Sequence, residues 1–456
     1  MDGLTFYIDP QTGDDVNNGL TSSKPLKTYD KRTFSGGDTV LFKRGSSIRS
    51  GLRTCNGTEQ GYITYGAYGI GNKPVFLGSM PASDRKQWIE EQPSIWRFTG
   101  KFSSEVCNLI FNAGESCGNL RWQISDMKCQ GEWYYTGIGS NAEAEEIVTT
   151  QESEAEILYL FSTSNPGIFY SSIEFALWGS RKMASGQHHI IIENIVFKNG
   201  GVHGYQENRA EHIKLHYCEF RFIGGAVWNK KRRIRFGNAV EFWDGALDVD
   251  IEGCIFSNIY DSGVTHQGGE QSGTPKQLYF RNNLFIDCGM AAYECRGPAA
   301  QEVYFENNTC VNAGGGFALQ GETPPRTSEI YPQPMGHHVF IWLIKQGTQN
   351  RNVFIRNNIF YEAPYGAAIY SIIDPKDEKQ LVIDNNCYWQ TKGNLLVLMN
   401  CKHYSTLNFS IYQLECEQDL HSIIADPMFV NEATCDYNLQ KVSPCKGVGM
   451  KFDVTG

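Results

Sequence analysis

Apolar and polar residues alternate along the middle of the chain, and one alternating pattern returns many times. Three or four alternating apolar residues lead into one or two Asn, then an apolar residue and Phe. Ile190-Ile191-Ile192-Glu193-Asn194-Ile195-Val196-Phe197 is one copy, and Val249-Asp250-Ile251-Glu252-Gly253-Cys254-Ile255-Phe256 is another. Leu278 to Phe285, Val303 to Cys310, Val353 to Phe360 and Leu381 to Tyr388 repeat it, and a degenerate copy ends at Phe220. The copies end at 197, 220, 256, 285, 310, 360 and 388, so the steps are 23, 36, 29, 25, 50 and 28 residues. A period of two predicts strands and excludes a helical solenoid, whose period would be 3.6. The shortest steps are too short for a four-stranded propeller blade of about 40 residues. They fit one coil of a parallel β-helix, and the longer steps fit a coil plus a loop.

The Asn positions predict a turn and a ladder. Asn tolerates the left-handed backbone of a sharp turn, and its amide can bond to the Asn one coil above. After each Asn turn come a short strand, a Gly-rich bend and another strand, which reads Ala239 to Asp244, Gly263 to Gln267, Ala292 to Arg296 and Phe317 to Gln320. Three strands per coil predict three stacked parallel sheets. The fold class is therefore all-β, a single-stranded parallel β-helix with an Asn ladder and a β-rich inserted subdomain. Residues 1–80 read as capping first coils, 81–182 as the insertion, 183–394 as the central coils and 395–456 as the closing coils and cap. The acidic stretch Glu143 to Glu156 reads as a solvated loop.

Composition narrows the function classes. The chain has 456 residues, 40 Lys and Arg against 50 Asp and Glu, and a formal charge of −10. A nucleic-acid backbone or an anionic membrane needs a positive field, so neither is expected as a partner. No apolar run approaches the roughly 18 residues of a membrane span. The 14 Cys form no metal-spaced pair, and Cys218, Cys254, Cys310 and Cys387 read as small core residues. The first residues lack the basic and apolar regions of a signal peptide. The protein is expected in the cytoplasm, or secreted from a precursor whose signal has been removed.

Tyr7-Ile8-Asp9-Pro10, Gly13-Asp14-Asp15 and Asn18-Gly19-Leu20 resemble the entry segment of the right-handed parallel β-helix superfamily of carbohydrate-active enzymes. Gly37 to Phe42, Thr64 to Gly69 and the closing Asp426-Pro427-Met428-Phe429 resemble it too. The resemblance implies a right-handed, pectate-lyase-like β-helix. It implies a carbohydrate substrate and a site on the outer face of the strand that follows the Asn turn. The superfamily holds pectate and alginate lyases, polygalacturonase-like hydrolases, β-xylosidases and fucosidases. The polygalacturonase set of Asn-Thr-Asp, Asp-Asp and His-Gly is missing here, and fold alone licenses no chemistry.

Overlaying the copies puts Gln206, Glu241, Thr265, Glu294, Leu319 and Ile369 in one column. The preceding, core-facing column is Tyr205, Val240, Val264, Tyr293, Ala318 and Ala368. Two positions on, the outward column is Asn208, Trp243, Gln267 and Arg296. Carboxylates, amides, a cation and an indole together suit a sugar, whose rings stack while its hydroxyls need directional partners. Glu241, Glu294 and Asp261, which lies at the bend entering the intermediate coil, are the catalytic candidates. Gln206, Asn208, Trp243, His266, Gln267 and Arg296 are the binding candidates. Coils stack at about 4.8 Å, so Glu241 and Glu294 have backbones about 9–10 Å apart. Side chains narrow that to the about 6.5–9.5 Å of an inverting glycosidase, and a pair with Asp261 would suit a retaining one. His266 alternates toward the core in this register.

Three functions compete. The first is glycoside hydrolysis by a carboxylate pair. The second is a polysaccharide lyase, for which His266, Tyr293, Arg296 and Lys230 would supply base and cation. The third is a non-catalytic carbohydrate-binding β-helix, which predicts a uniform outer face. Polarity concentrated in a few coils beside long loops favours the first. Lys230-Lys231-Arg232-Arg233 reads as a solvated loop or a clamp over the groove for an acidic sugar. No cofactor is expected, although Asp9, Asp14, Asp15 and Asn17 are residues that could also ligate calcium.

Overall fold

The computed structural model describes residues 3–142, 156–179, 181–269, 271–318, 335–343, 351–372, 381–393 and 395–451. The expected acidic loop falls almost wholly outside them, as do Leu319 and Gln320. The chain winds as a parallel β-helix with three walls. One coil shows the plan. Ile255–Ile259 lies on the third sheet, Ser262–Gln267 on the first and Lys276–Arg281 on the second, before Leu284–Cys288 returns to the third sheet directly above Ile255–Ile259. Two long strands, His203–His216 and Val240–Glu252, run through the corner between the first and second sheets. They turn it at Arg209 and Asp244, both with positive φ, so the two walls share one hydrogen-bonded ladder.

The repeat's Phe becomes a stacked column inside the third wall. Phe197, Phe220, Phe256 and Phe285 follow one another with ring centroids 5.2, 5.3 and 4.7 Å apart. The paired asparagines divide their duties. The first of each pair (Asn282, Asn307, Asn357, Asn385) takes the left-handed turn, with φ between 53° and 59°. The second (Asn283, Asn308, Asn358, Asn386) is buried and forms the ladder. Its Nδ2 donates to a strand carbonyl one coil back and to the Oδ1 of the next rung, as in Asn308 to Phe280 O at 2.9 Å and to Asn358 Oδ1 at 3.2 Å. In the two earlier coils Cys218 and Cys254 occupy the rung. Their thiols donate to Ile192 O and Leu215 O at 3.4 and 3.3 Å, as the amides do later. The ladder ends on the buried Asp419 carboxylate, which accepts from Asn386, Tyr388 and Tyr412.

Strands from the first 80 residues stack below the central coils, with Ile63 paired to Ile190. Between them and the central coils the chain makes an excursion. Trp88–Gln92, Ile95–Phe98, Leu158–Phe161 and Glu132–Tyr135 form a small antiparallel sheet. Val106–Phe111 and Ile173–Leu177 pair antiparallel and join the third sheet through Leu177 and Gly200. At the other end the helix Phe409–Cys416 lays Phe409 and Tyr412 on the core. Among the described residues no helix is long and apolar enough to cross a membrane.

The register corrects the later part of both columns. Phe317 and Ala318 lie in a turn, and the strand stacked on Ala291–Gly297 is Val339–Leu343. Glu294 is therefore followed by Phe340 and Tyr370, while Ile369 sits in the core column behind Tyr293 and Val339. The long insertion after Cys310 hid this, because it moves the strand more than twenty residues along the chain.

Candidate active site

The outward positions of four coils on the first wall form the floor of a cleft of about 550 Å³. Backbone pairing puts Gln206, Glu241, Thr265 and Glu294 in one file, and Asn208, Trp243, Gln267 and Arg296 in the next. Glu241, Asp261 and Glu294 all line the cleft, with Gln206, Asn208, Trp243, Gln267 and Arg296. The two glutamates are not exposed, as an outer strand face would suggest. Their residues are 4% and 1% accessible, because neighbouring side chains pack around them. Trp243 is 38% exposed and presents its indole to solvent.

One side wall is a hairpin, Ala226–Asn229 paired with Ile234–Phe236, which brings Trp228 and Phe236 to the cleft. Its feet are Gly224 and Gly237, with φ of +101° and +140°. A Cβ on Gly237 would come within 2.3 Å of Gly224 Cα, so the close approach requires glycine. Buried Arg235 rivets the hairpin to the excursion, donating to Gly225 O at 2.8 Å and Cys107 O at 3.0 Å. Asp261 holds the same foot, its Oδ2 accepting from Gly237 N at 3.1 Å. The basic run 230–233 is exposed at the hairpin tip and lines no part of the cleft; Arg233 lies over the Trp122 ring. The clamp reading is thereby corrected.

Glu241 and Glu294 are held through a shared bridge. Asn238 Nδ2 donates to Glu241 Oε2 at 2.5 Å, and Asn238 Oδ1 accepts from Ser262 N at 2.8 Å. Ser262 Oγ in turn donates to Glu294 Oε2 at 2.7 Å. Glu294 Oε1 accepts no hydrogen bond from a described residue and stands 3.5 Å from Arg296 Nε. Burial raises the Glu241 carboxyl above its ordinary value, against the opposing pull of Asn238, Arg296, Arg181 and Gln206. His203 Nδ1 lies 3.7 Å from Glu241 Oε2, but the two are not an ion pair. Nδ1 accepts the Asn238 N–H at 3.2 Å, and burial pushes the imidazole down to about 3, so His203 is neutral and carries its proton on Nε2.

His266 is corrected from a binding residue to a core residue. It is fully buried and its Nε2 bonds Tyr293 Oη at 2.9 Å. The Asp9 group is turn chemistry. Asp9 accepts from Gln11 N, Thr12 N, Thr12 Oγ1 and Lys43 Nζ, and Asp15 accepts from Lys27 N, Thr28 N and Thr28 Oγ1. Asp14 accepts from Val16 N, and Asn17 donates to Pro25 O.

Sequence reasoning missed His203, Asn238, Ser262, Arg181 and Trp228. The signal for the first three is the bend entering the first sheet. Asp261 stands out there, and His203, Asn238 and Ser262 occupy the same bend in this coil or its neighbours. Removing the Asn238 donor is expected to raise the Glu241 carboxyl further. In Asn238→Ala the alkaline limb of the kcat/KM profile should therefore move to higher pH, and a shift to lower pH would contradict this arrangement.

The fold and the cleft define a parallel β-helix with carboxylates on one outer wall. Solved structures similar to the chain include the following two. One is pectate lyase Pel9A, with a TM-score of 0.48 and 10% identity, covering 100% of this chain and 90% of that one. The other is XylC in complex with xylose, with a TM-score of 0.41 and 11% identity, covering 94% of this chain and 87% of that one. In sequence, the chain is 24% identical over 220 residues to the uncharacterised protein YwoF of Bacillus subtilis (strain 168). That match covers 45% of this chain and 40% of the relative, so the chain spans less than half the length of the curated protein it matches. No family model matches. What the cleft can do follows from its own side chains.

Proposed function

We propose that the protein is a glycoside hydrolase acting on an oligo- or polysaccharide bound along the first wall. One observation carries this: three carboxyl groups from three coils meet in a single cleft beside an exposed indole, and burial raises one of them, Glu241, above its ordinary value. Glu241 is the general acid that protonates the leaving glycosidic oxygen. Glu294, with one oxygen held by Ser262 and the other facing Arg296, is the base that takes a proton from the attacking water. Their register, two coils apart through Thr265, leaves space for that water and favours inversion at the anomeric carbon. Trp243 stacks on a sugar ring, while Gln206, Asn208, Gln267 and Arg296 engage hydroxyls.

The lyase reading is weaker. It needs a base such as Lys, Tyr or His near the sugar. Of its candidates, His266 and Tyr293 bond each other inside the core and Lys230 sits on the hairpin tip. Of the candidates read from the sequence Arg296 alone lines the cleft, and His203, which lines it too, has its unprotonated Nδ1 taken by the Asn238 N–H. Incubation with a panel of plant and microbial glycans is expected to release reducing ends without the ultraviolet absorbance of an unsaturated uronate. Absorbance rising in step with cleavage would overturn the reading.

A further inference from the structure

The last described residues run back across the outer face of the third sheet. Phe429, Tyr437 and Cys445 cover Leu284, Ile359 and Cys387 there. Beyond residue 440 this strap has no strand of its own. It is held by single bonds to successive coils: Gly449 N to Asn357 O at 2.8 Å, Met450 N to Thr309 Oγ1 at 3.0 Å, and Lys451 N to Asn282 Oδ1 at 2.6 Å. Where the strap starts this course, Cys445 Sγ lies 2.9 Å from Cys387 Sγ, and both residues are fully buried.

That separation is shorter than the about 3.5–4.0 Å at which unbonded heavy atoms rest. It leaves the two sulfurs less than 1 Å from the about 2.05 Å of a covalent bond. Cys387 Sγ also donates to Ala425 O at 3.2 Å, much as Cys218 and Cys254 donate to strand carbonyls in the ladder, so the contact with Cys445 Sγ is what sets this pair apart. We propose that Cys387 and Cys445 form a disulfide that fastens the C-terminal strap to the last coils. In the docked strap the Cys387 thiol and the Ser443 hydroxyl hold the Cys445 thiol below its ordinary value.

The chemistry balances against a small disulfide such as oxidised glutathione. The Cys445 thiolate attacks one of its sulfurs, forms a mixed disulfide and releases one small thiolate. The Cys387 sulfur, on losing its proton, attacks Cys445 and releases the second. Two protein thiols are oxidised, the small disulfide is reduced to two thiols, and the two protons pass to the released thiolates. Because both sulfurs are buried in the docked strap, the bond forms as the strap closes during folding. It would join residues 58 apart in sequence, and it is independent of the reading of the cleft.

The test uses the whole chain refolded in a glutathione redox buffer. After alkylation of free thiols and digestion without reductant, mass spectrometry is expected to find the Cys387 and Cys445 peptides joined, lighter by two hydrogen atoms. Adding dithiothreitol should lower the melting temperature of this protein and leave that of Cys445→Ser unchanged. Recovery of both cysteines as alkylated thiols, or of either one joined to a different cysteine, would overturn the proposal. The peptide map needs no variant, so it decides even if Cys445→Ser fails to fold.

Discussion

Glu294→Gln is expected to lower kcat by about 10²–10⁴-fold and leave the fold intact, because it removes the base and keeps the shape. The amide has the carboxylate's volume, and its oxygen can still accept from Ser262 Oγ. It cannot take a proton from water. The substitution gives up the contact with Arg296, because the amide NH2 in the place of Oε1 faces the guanidinium. Circular dichroism and a steady-state assay on the best glycan separate the two effects. Glu252→Gln is the control. Glu252 belongs to the second wall, on the far half of the long strand that carries Glu241, and its loss should leave turnover unchanged. Full activity in Glu294→Gln would remove that residue from the chemistry.

Asn308→Ala is expected to cost about 3–5 kcal/mol of stability, because it strands several buried polar groups at once. Asn308 Oδ1 accepts from Asn283 N and Asn283 Nδ2, and its Nδ2 donates to Phe280 O and Asn358 Oδ1. An alanine satisfies none of these, and the fully buried rung admits no water in their place. The preceding residue makes the contrast. Asn307 has φ of 54° and supplies only the left-handed turn, so Asn307→Gly should change stability by no more than about 0.5 kcal/mol. Urea unfolding of both variants measures the difference. Equal losses would contradict the division of labour within each Asn pair.

The fold was legible because stacking writes itself into the sequence. Alternation gave the strands, Phe gave the inner stack, and the Asn pairs marked each turn. The first four members of the site column were placed correctly, since the coils carrying 206, 241, 265 and 294 differ little in plan. The overlay failed at the next coil. The insertion after Cys310 moves the strand to Val339–Leu343, and alternation cannot count across an insertion. Burial was also not legible. Glu241 and Glu294 read as exposed because their strand faces outward, whereas Asn238 and Ser262 bond them directly and the hairpin's Trp228 and Phe236 line the same cleft. His266 shows the converse. Its place in the core follows from strict alternation, and its partner Tyr293 is a core residue of the next coil, stacked on Val264. Asn238 and Ser262 escaped because they sit just before or at the very start of their strands, where the alternation has hardly begun.

The central claim is that acids brought together by winding use water to cut a glycosidic bond. The most direct measurement is mass spectrometry of the products formed in water enriched in heavy oxygen. Each cleavage is expected to place one solvent oxygen on the new reducing end. Products of the same cleavage that contain no solvent oxygen, and that carry a double bond, would contradict it.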